Sequence, residues 1–477
     1  MRTGMATWLR AEAMMVLGKL NSHRKNYAKA IECYREVTQL QPRNVNAFVS
    51  LGYCSASLGR HRDSFDAYER ALQIRPDFTI LYAQLSLALE KLGDTKIAAE
   101  YLERALRSSV QMKYPNDAAY WHHQLGLMYC KLGDWGRAAD SFRLALKGRH
   151  SDIAQTNLAI ALWHTGDKDG SIEAYKRATL IAPRDAYGFY GLGWAFYNLH
   201  RYTEAVAPLR TAIELDPTHA DAHYHLGLVL FGIGNDQEPM EILRKAAKLR
   251  PEHPETHYSL GCALAAQGNF AGAIASYGEA VRLRPDYVDA YLNKGVAHAG
   301  LGQHDEEIEA FKTALQFNPL DAAAWGNLAL TYSGQLMYSD ALEAFRKVCE
   351  LQPANEQGFH GVASSLSCLE RYDEAIPNFQ HAIRLAPSFI PAYEGLGWTF
   401  AKLGKFPKAL DSYSLAMRLA PDSAQLHSEL SDVYEQMENE EVARQLRSRA
   451  EELGANAVDP AIPNPKPTVN KEPVPDN

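Results

Sequence analysis

The sequence predicts an all-α solenoid, a superhelical stack of antiparallel helix pairs, and three observations predict it. Pro183, Pro217, Pro251, Pro285, Pro319, Pro353, Pro387 and Pro421 stand 34 residues apart, and Pro42 and Pro76 keep that spacing near the start. Between the prolines, apolar residues recur with a helical period that a turn interrupts once per unit. Small residues fall at fixed places in every unit. A fixed period of this length means one supersecondary unit copied in series. Such a stack favours a surface that holds partners over a single catalytic pocket.

The segment from Ile390 shows each element in order. Tyr393, Leu396, Gly397 and Phe400 recur at i, i+3, i+4 and i+7, the apolar face of a first helix. Leu403-Gly404-Lys405 breaks it, with Gly at the turn. Ala409, Tyr413 and Ala416 mark a second helix, which Ala420-Pro421 ends. Gly18, Gly52, Gly126, Gly193, Gly227, Gly261, Gly295 and Gly397 share one first-helix position. A mid-helix Gly costs about 1 kcal/mol against Ala, so close contact with the second helix is expected to compensate. No unit stands alone. Ordering each residue costs about 1.5 kcal/mol, and a half-dozen core side chains return about 1.5–3 kcal/mol each. Burial between neighbours has to supply the difference, which forces a continuous array.

These residues resemble the tetratricopeptide repeat, whose pattern Trp325, Leu328, Ala329, Tyr332, Ala341, Phe345 and Pro353 fit closely. The resemblance implies a right-handed α-solenoid superhelix of antiparallel helix pairs. Thirteen units are expected over residues 11–453, starting near 11, 45, 79, 119, 152, 186, 220, 254, 288, 322, 356, 390 and 424. Residues 1–10 are expected to lead in, and 454–477, with six prolines, to form a disordered tail in which Pro460-Ala-Ile-Pro463 matches PxxP. Pro76 to Pro183 spans 107 residues, so a longer loop is expected near 113–118, with Val110 and His150 replacing the terminal prolines there. Pro208 and Pro377 predict kinks or late-starting second helices.

Composition narrows the function classes. The chain has 477 residues, 46% of them apolar, and a formal charge of -8, with no basic stripe of the kind that nucleic acid binding requires. Thr256–Gly278 lacks Asp, Glu, Lys and Arg, but His257, Gln267 and Asn269 interrupt it, so a repeat unit and no membrane span is expected. Arg10, Glu12 and Lys19 argue against a secretory signal, and the six cysteines show no paired spacing. A soluble cytoplasmic protein is expected. HExxH, GxxxxGK[ST], GxSxG and CxxC motifs do not occur, so no enzyme and no cofactor is expected. His219/His223 and His253/His257 have metal-capable spacing, yet His223 and His257 occupy the aromatic core position, so structural histidines and no metal are expected.

In the family, repeat positions 2, 5, 9, 12 and 13 of the first helices face the concave surface. Those positions gather Tyr187, Tyr190, Trp194 and Tyr197 in the sixth unit, with Trp163, Tyr224, Phe231 and Tyr258 in its neighbours. Large aromatics are enriched at binding hot spots, which makes these the expected partner-binding residues. The regular array also looks like the tetratricopeptide arm of O-linked N-acetylglucosamine transferases, where position-6 asparagines clamp a peptide backbone. Asn293 and Asn327 hold that position here, although Gly191, His225, Ser259, Gly361 and Gly395 break the ladder. Position 9 has no asparagine, so a carboxylate grip of the chaperone-tail kind is not expected.

The resulting expectation is a noncatalytic scaffold or adaptor binding a peptide or helix of another protein. One alternative is a substrate-recruiting subunit of a separate glycosyltransferase-type enzyme. Another is assembly work through homo-oligomers. The first repeat carries Trp8, Met14 and Met15 without a polar cap. Residues 1–10 would cover them, or a second copy would, as a homodimer.

Overall fold

The computed structural model describes residues 2–78, 80–108, 115–148, 151–234 and 238–454. Their regular structure is entirely helical, in 26 helices, two to each of thirteen repeats. The first six repeats are α1 (Arg2–His23) with α2 (Tyr27–Leu40), α3 (Val45–Ser57) with α4 (His61–Ile74), α5 (Ile80–Leu92) with α6 (Thr95–Ser108), α7 (Pro115–Lys131) with α8 (Trp135–Gly148), α9 (Asp152–Thr165) with α10 (Lys168–Ile181), and α11 (Ala186–Asn198) with α12 (Tyr202–Leu215). The next four are α13 (Ala220–Gly232) with α14 (Glu238–Leu249), α15 (Pro254–Ala266) with α16 (Phe270–Leu283), α17 (Val288–Gly300) with α18 (His304–Phe317), and α19 (Ala322–Gly334) with α20 (Tyr338–Leu351). The last three are α21 (Glu356–Cys368) with α22 (Tyr372–Leu385), α23 (Ile390–Lys402) with α24 (Phe406–Leu419), and α25 (Ala424–Gln436) with α26 (Glu440–Glu452).

Contacts divide the chain into two compact units, Met1–Val229 and Leu230–Asn477. Each is built the same way. Within the first, α2 packs on α3 and α10 on α11; within the second, α16 packs on α17 and α22 on α23. Within each unit, second helices thus pack against the first helix that follows, as a solenoid of marginal units requires.

The repeat's small residues work through aromatic rings. A side chain on Gly261 would start 2.5 Å from the Tyr277 ring, and one on Gly295 would start 2.7 Å from Phe311. The ring sixteen residues onward thus occupies the space the glycine leaves, and Tyr277 and Phe311 are fully buried. The broken position-6 ladder has a similar cause. Gly191, Gly361 and Gly395 lie under Tyr175, Phe345 and Phe379, rings from the preceding second helix.

Proline at repeat position 32 sets the exit of the second helix. Ala420, before Pro421, has left the helical region at φ -137, ψ 73, and so has Ala182, before Pro183, at φ -124, ψ 76. A following proline ring disfavours the helical conformation, so the helix ends there. The carbonyl of that proline then ties down the next first helix. Trp325 Nε1 donates to the Pro319 carbonyl at 2.9 Å, and the Tyr393 hydroxyl to that of Pro387 at 3.1 Å. His257 Nε2 meets the Pro251 carbonyl at 2.9 Å, so this histidine does the structural work of Trp325 and Tyr393.

Three expectations are corrected. Residues 2–10 belong to α1, a continuous 22-residue helix, and are not a separate lead-in. Residues 115–118 of the expected loop are helix, because Pro115 opens α7, a place where its missing N–H is no loss. The inserted residues thereby lengthen α7 to 17 residues. Pro208 and Pro377 do not delay their helices, since α12 begins at Tyr202 and α22 at Tyr372. The carbonyls they strip of a partner belong to Glu204 and Asp373, both exposed residues that water reaches. Thr256–Gly278 reads as expected: α15, a turn at Gly268 and the start of α16. No described helix is long and apolar enough to cross a membrane. Val110, His150 and the residues after Gly454 lie outside the described residues.

Candidate functional site

The aromatic residues singled out by repeat position separate into an accessible group and a packed group. Tyr187 and Tyr190 stand one turn apart on α11, with ring centroids 6.4 Å apart. Trp194 follows on the same face, and its ring lies 4.8 Å from that of Trp163 on α9. His219, just before α13, joins the set with its ring 4.5 Å from Tyr190 and 5.9 Å from Tyr187. Tyr187 is 64% exposed; Trp163, Tyr190 and Trp194 are half-buried. These four residues form one accessible aromatic surface within the first compact unit.

Local backbone explains the placement. Asp185 caps α11, its carboxylate accepting the Tyr187 N–H at 3.2 Å, and this fixes the first turn. Asn198 Nδ2 donates to the Trp194 carbonyl at 2.9 Å near the helix end. The Lys168 ammonium sits 3.7 Å over the Trp163 ring and donates to the Trp163 carbonyl at 2.7 Å. Burial there holds the Lys168 pKa below the ordinary lysine range. This lysine secures Trp163.

The other expected residues pack inward. Tyr197 and Tyr224 are buried, both with rings against His225 at 5.2 and 5.1 Å. Tyr258 is buried between Tyr277 and Tyr287. Asn293 is buried as well and donates through Nδ2 to the Tyr258 hydroxyl at 3.0 Å. Asn327 is buried on α19, where its carbonyl accepts from the Thr331 hydroxyl at 2.9 Å. Tyr197, Tyr258 and Asn293 thus serve contacts between neighbouring helices, and burial removes all five side chains from an open face. Phe231 is half-buried at the end of α13, in the second compact unit.

Three accessible residues escape a search for aromatic clusters in single helices. Ile80, Tyr120 and Ile153 are 60%, 51% and 60% exposed and hold the same repeat position as Tyr187. The signal that finds them is one apolar position followed across consecutive repeats.

A chain of antiparallel helix pairs with an accessible ring surface on its first helices belongs to the class of repeat scaffolds. The sequence matches the tetratricopeptide repeat over residues 17–77, 84–149, 123–187, 258–322 and 363–456. Further matches cover 195–234, 220–253 and 322–355. The chain belongs to the tetratricopeptide-repeat family, whose arrays are protein-binding scaffolds. It is 26% identical over 132 residues to Superkiller protein 3 of Schizosaccharomyces pombe, a stretch covering 28% of this chain and 10% of that protein. It is 30% identical over 92 residues to the peroxisomal targeting signal receptor of Candida albicans, covering 19% of this chain and 16% of that protein. The matched stretch is thus a small part of each of these relatives' own length. Among solved structures, the MamA protein is 28% identical, with 35% of this chain and 92% of that chain covered at a TM-score of 0.34. A chain of the Cut9–Hcn1 hetero-tetramer is 15% identical, with 94% of each chain covered at a TM-score of 0.38.

Proposed function

We propose that this chain is a noncatalytic adaptor that captures a peptide or helix of another protein on the face of its first helices. The contact centres on Trp163, Tyr187, Tyr190 and Trp194. One observation carries the reading: four large rings from two adjacent repeats meet on one accessible face, while the same repeats keep a complete core without them. Rigid aromatic area with polar tips is the composition of an interface hot spot. A relative named as a targeting signal receptor supports capture of a segment of another protein. The buried Tyr197, Tyr224, Tyr258, Asn293 and Asn327 then hold the seat in shape and do not touch the partner.

The double variant Tyr190→Ala/Trp194→Ala tests this. Captured partners identified from a pull-down with the wild-type chain should bind it more weakly by roughly 2–4 kcal/mol in titration calorimetry, with an unchanged helical circular dichroism spectrum. Equal affinity of the variant and the wild type would remove the aromatic face from the function.

A further inference from the structure

We propose that α1 is the dimer face of this chain, its outer stripe packing antiparallel against α1 of a second copy. The proposal is independent of the capture reading above. Met5, Leu9, Ala13, Val16 and Leu20 stand at i, i+4, i+8, i+11 and i+15, a single helical face. Met5, Leu9, Val16 and Leu20 are 67%, 54%, 65% and 46% exposed, and Ala13 is exposed between them. Trp8 and Leu17 widen the stripe on either side, both exposed. Arg10 pairs with Glu36 on α2.

Repeat register shows what such a face accepts. Ala13, Val16 and Leu20 hold positions 3, 6 and 10, which elsewhere pack on the second helix of the preceding repeat. Side chains on Gly188 and Gly191 would meet Thr179 and Tyr175 of α10, and those on Gly358 and Gly361 would meet Cys349 and Phe345 of α20. Thr331, at position 10, donates to Glu307 of α18 at 2.6 Å. Position 10 is buried in all twelve other repeats, from Cys54 to Val433. Leu20 is the exception. The register therefore gives α1 a helix-accepting face, and the described residues leave it open. Residues 2–10 carry the stripe about two and a half turns beyond the repeat, where a helix without packing is marginal.

Charge and symmetry select the occupant. In α26, Arg447 and Glu451 hold the positions that Tyr175 and Thr179 hold in α10, and both are exposed. Laying the apolar stripe of α1 on them would strip both charges of water, which opposes head-to-tail stacking of copies. Residues 455–477 bring four large aliphatic side chains among six prolines, with no helical stripe. The face of α1 instead suits itself. Its stripe runs large, large, small, large, large, so reversal sets Met5 against Leu20 and Leu9 against Val16, with Ala13 near the two-fold axis. An isologous contact needs this self-complementarity, and a small central residue lets two helices approach closely. The same axis brings Lys19 beside Trp8 of the second copy, a cation next to an indole ring. Six large side chains, each about half exposed, give on the order of 1,200 Å² over two copies, the lower end for a stable dimer.

Sedimentation equilibrium of the full chain from about 1 to about 50 µM tests this. The wild type should rise from 53.1 kDa toward twice that mass and no further. Val16→Glu should raise the dimer Kd at least about tenfold with an unchanged helical circular dichroism spectrum. Leu9→Glu, outside the repeat, should do the same, and it decides the matter if Val16→Glu melts early. Orientation is read by mild oxidation, with the six native cysteines of the wild type as background. Ala13→Cys should form a covalent dimer alone, and Met5→Cys only when mixed with Leu20→Cys. A wild type that stays monomeric, whether residues 455–477 or another protein covers the face, would overturn the proposal. So would a dimer that both glutamate variants leave intact. Masses climbing past the dimer would mean head-to-tail stacking, and Met5→Cys joining to itself would mean parallel pairing; either result also overturns it.

Discussion

At the residue scale, the turn inside each repeat shows what the backbone asks of a single side chain. Repeat position 15 has positive φ in all thirteen repeats. Glycine fills it eight times, as at Gly404 with φ 67, and Lys25, His200, Leu336, Glu370 and Glu438 fill it otherwise. Leu336 holds φ 59 with a bulky side chain that is 70% exposed, so it bears the strain of the left-handed region with little packing in return. Leu336→Gly should therefore stabilise the chain by about 1 kcal/mol, read as a higher midpoint in urea. A lower midpoint would show that the leucine packs more than its exposure indicates. The turn itself was legible in the sequence, because Gly at eight of these places marks it. The conformation at Leu336 was legible only through register with those glycines.

At the element scale, a buried carboxyl on α23 gives a pH dependence with a definite sign. Glu394 is pushed up to about 7, first by burial and then by Glu429 on the neighbouring α25. Glu429 is itself raised by burial, bonds to Gln425 and the Tyr413 hydroxyl, and feels Asp432. In the folded chain Glu394 keeps its proton up to about pH 7, whereas the unfolded chain releases it near 4.5. The folded state thus binds more protons across that window, and stability falls as pH rises through it. Glu394→Gln removes the term, so it should stabilise the chain at pH 8 by on the order of 2 kcal/mol and by almost nothing at pH 4. Urea titrations at the two pH values check this, and an equal effect at both would rule out ionisation as the cause. The periodicity of α23 and α25 was plain from Leu396, Phe400, Leu426 and Leu430, but the pairing of their carboxylates was not. Residues 35 apart meet only once the repeats are stacked, and no local pattern reports that burial. The same gap hid Asn293, whose side-chain amide turns inward to Tyr258, and α7, whose opening proline also reads as a loop residue.

At the scale of the whole molecule, stability is a sum over neighbours. Leu328 on α19 is 2% exposed and sits in a core shared with repeats on both sides, among them Phe311 before it and Val362 after it. Truncating it leaves a cavity and should cost about 2–5 kcal/mol locally. In a stack where each repeat touches only its neighbours, that loss stays near its origin. Hydrogen exchange on Leu328→Ala should therefore show lost protection in α17 to α22 and wild-type protection in α1 to α6. The contrast follows from the repeat register, since the marginal energy of one unit is what makes its neighbours share the damage. A uniform loss from the first helix to the last would mean that the array unfolds as one cooperative body. A core lesion in the second compact unit would then also dissolve the aromatic surface around Trp194.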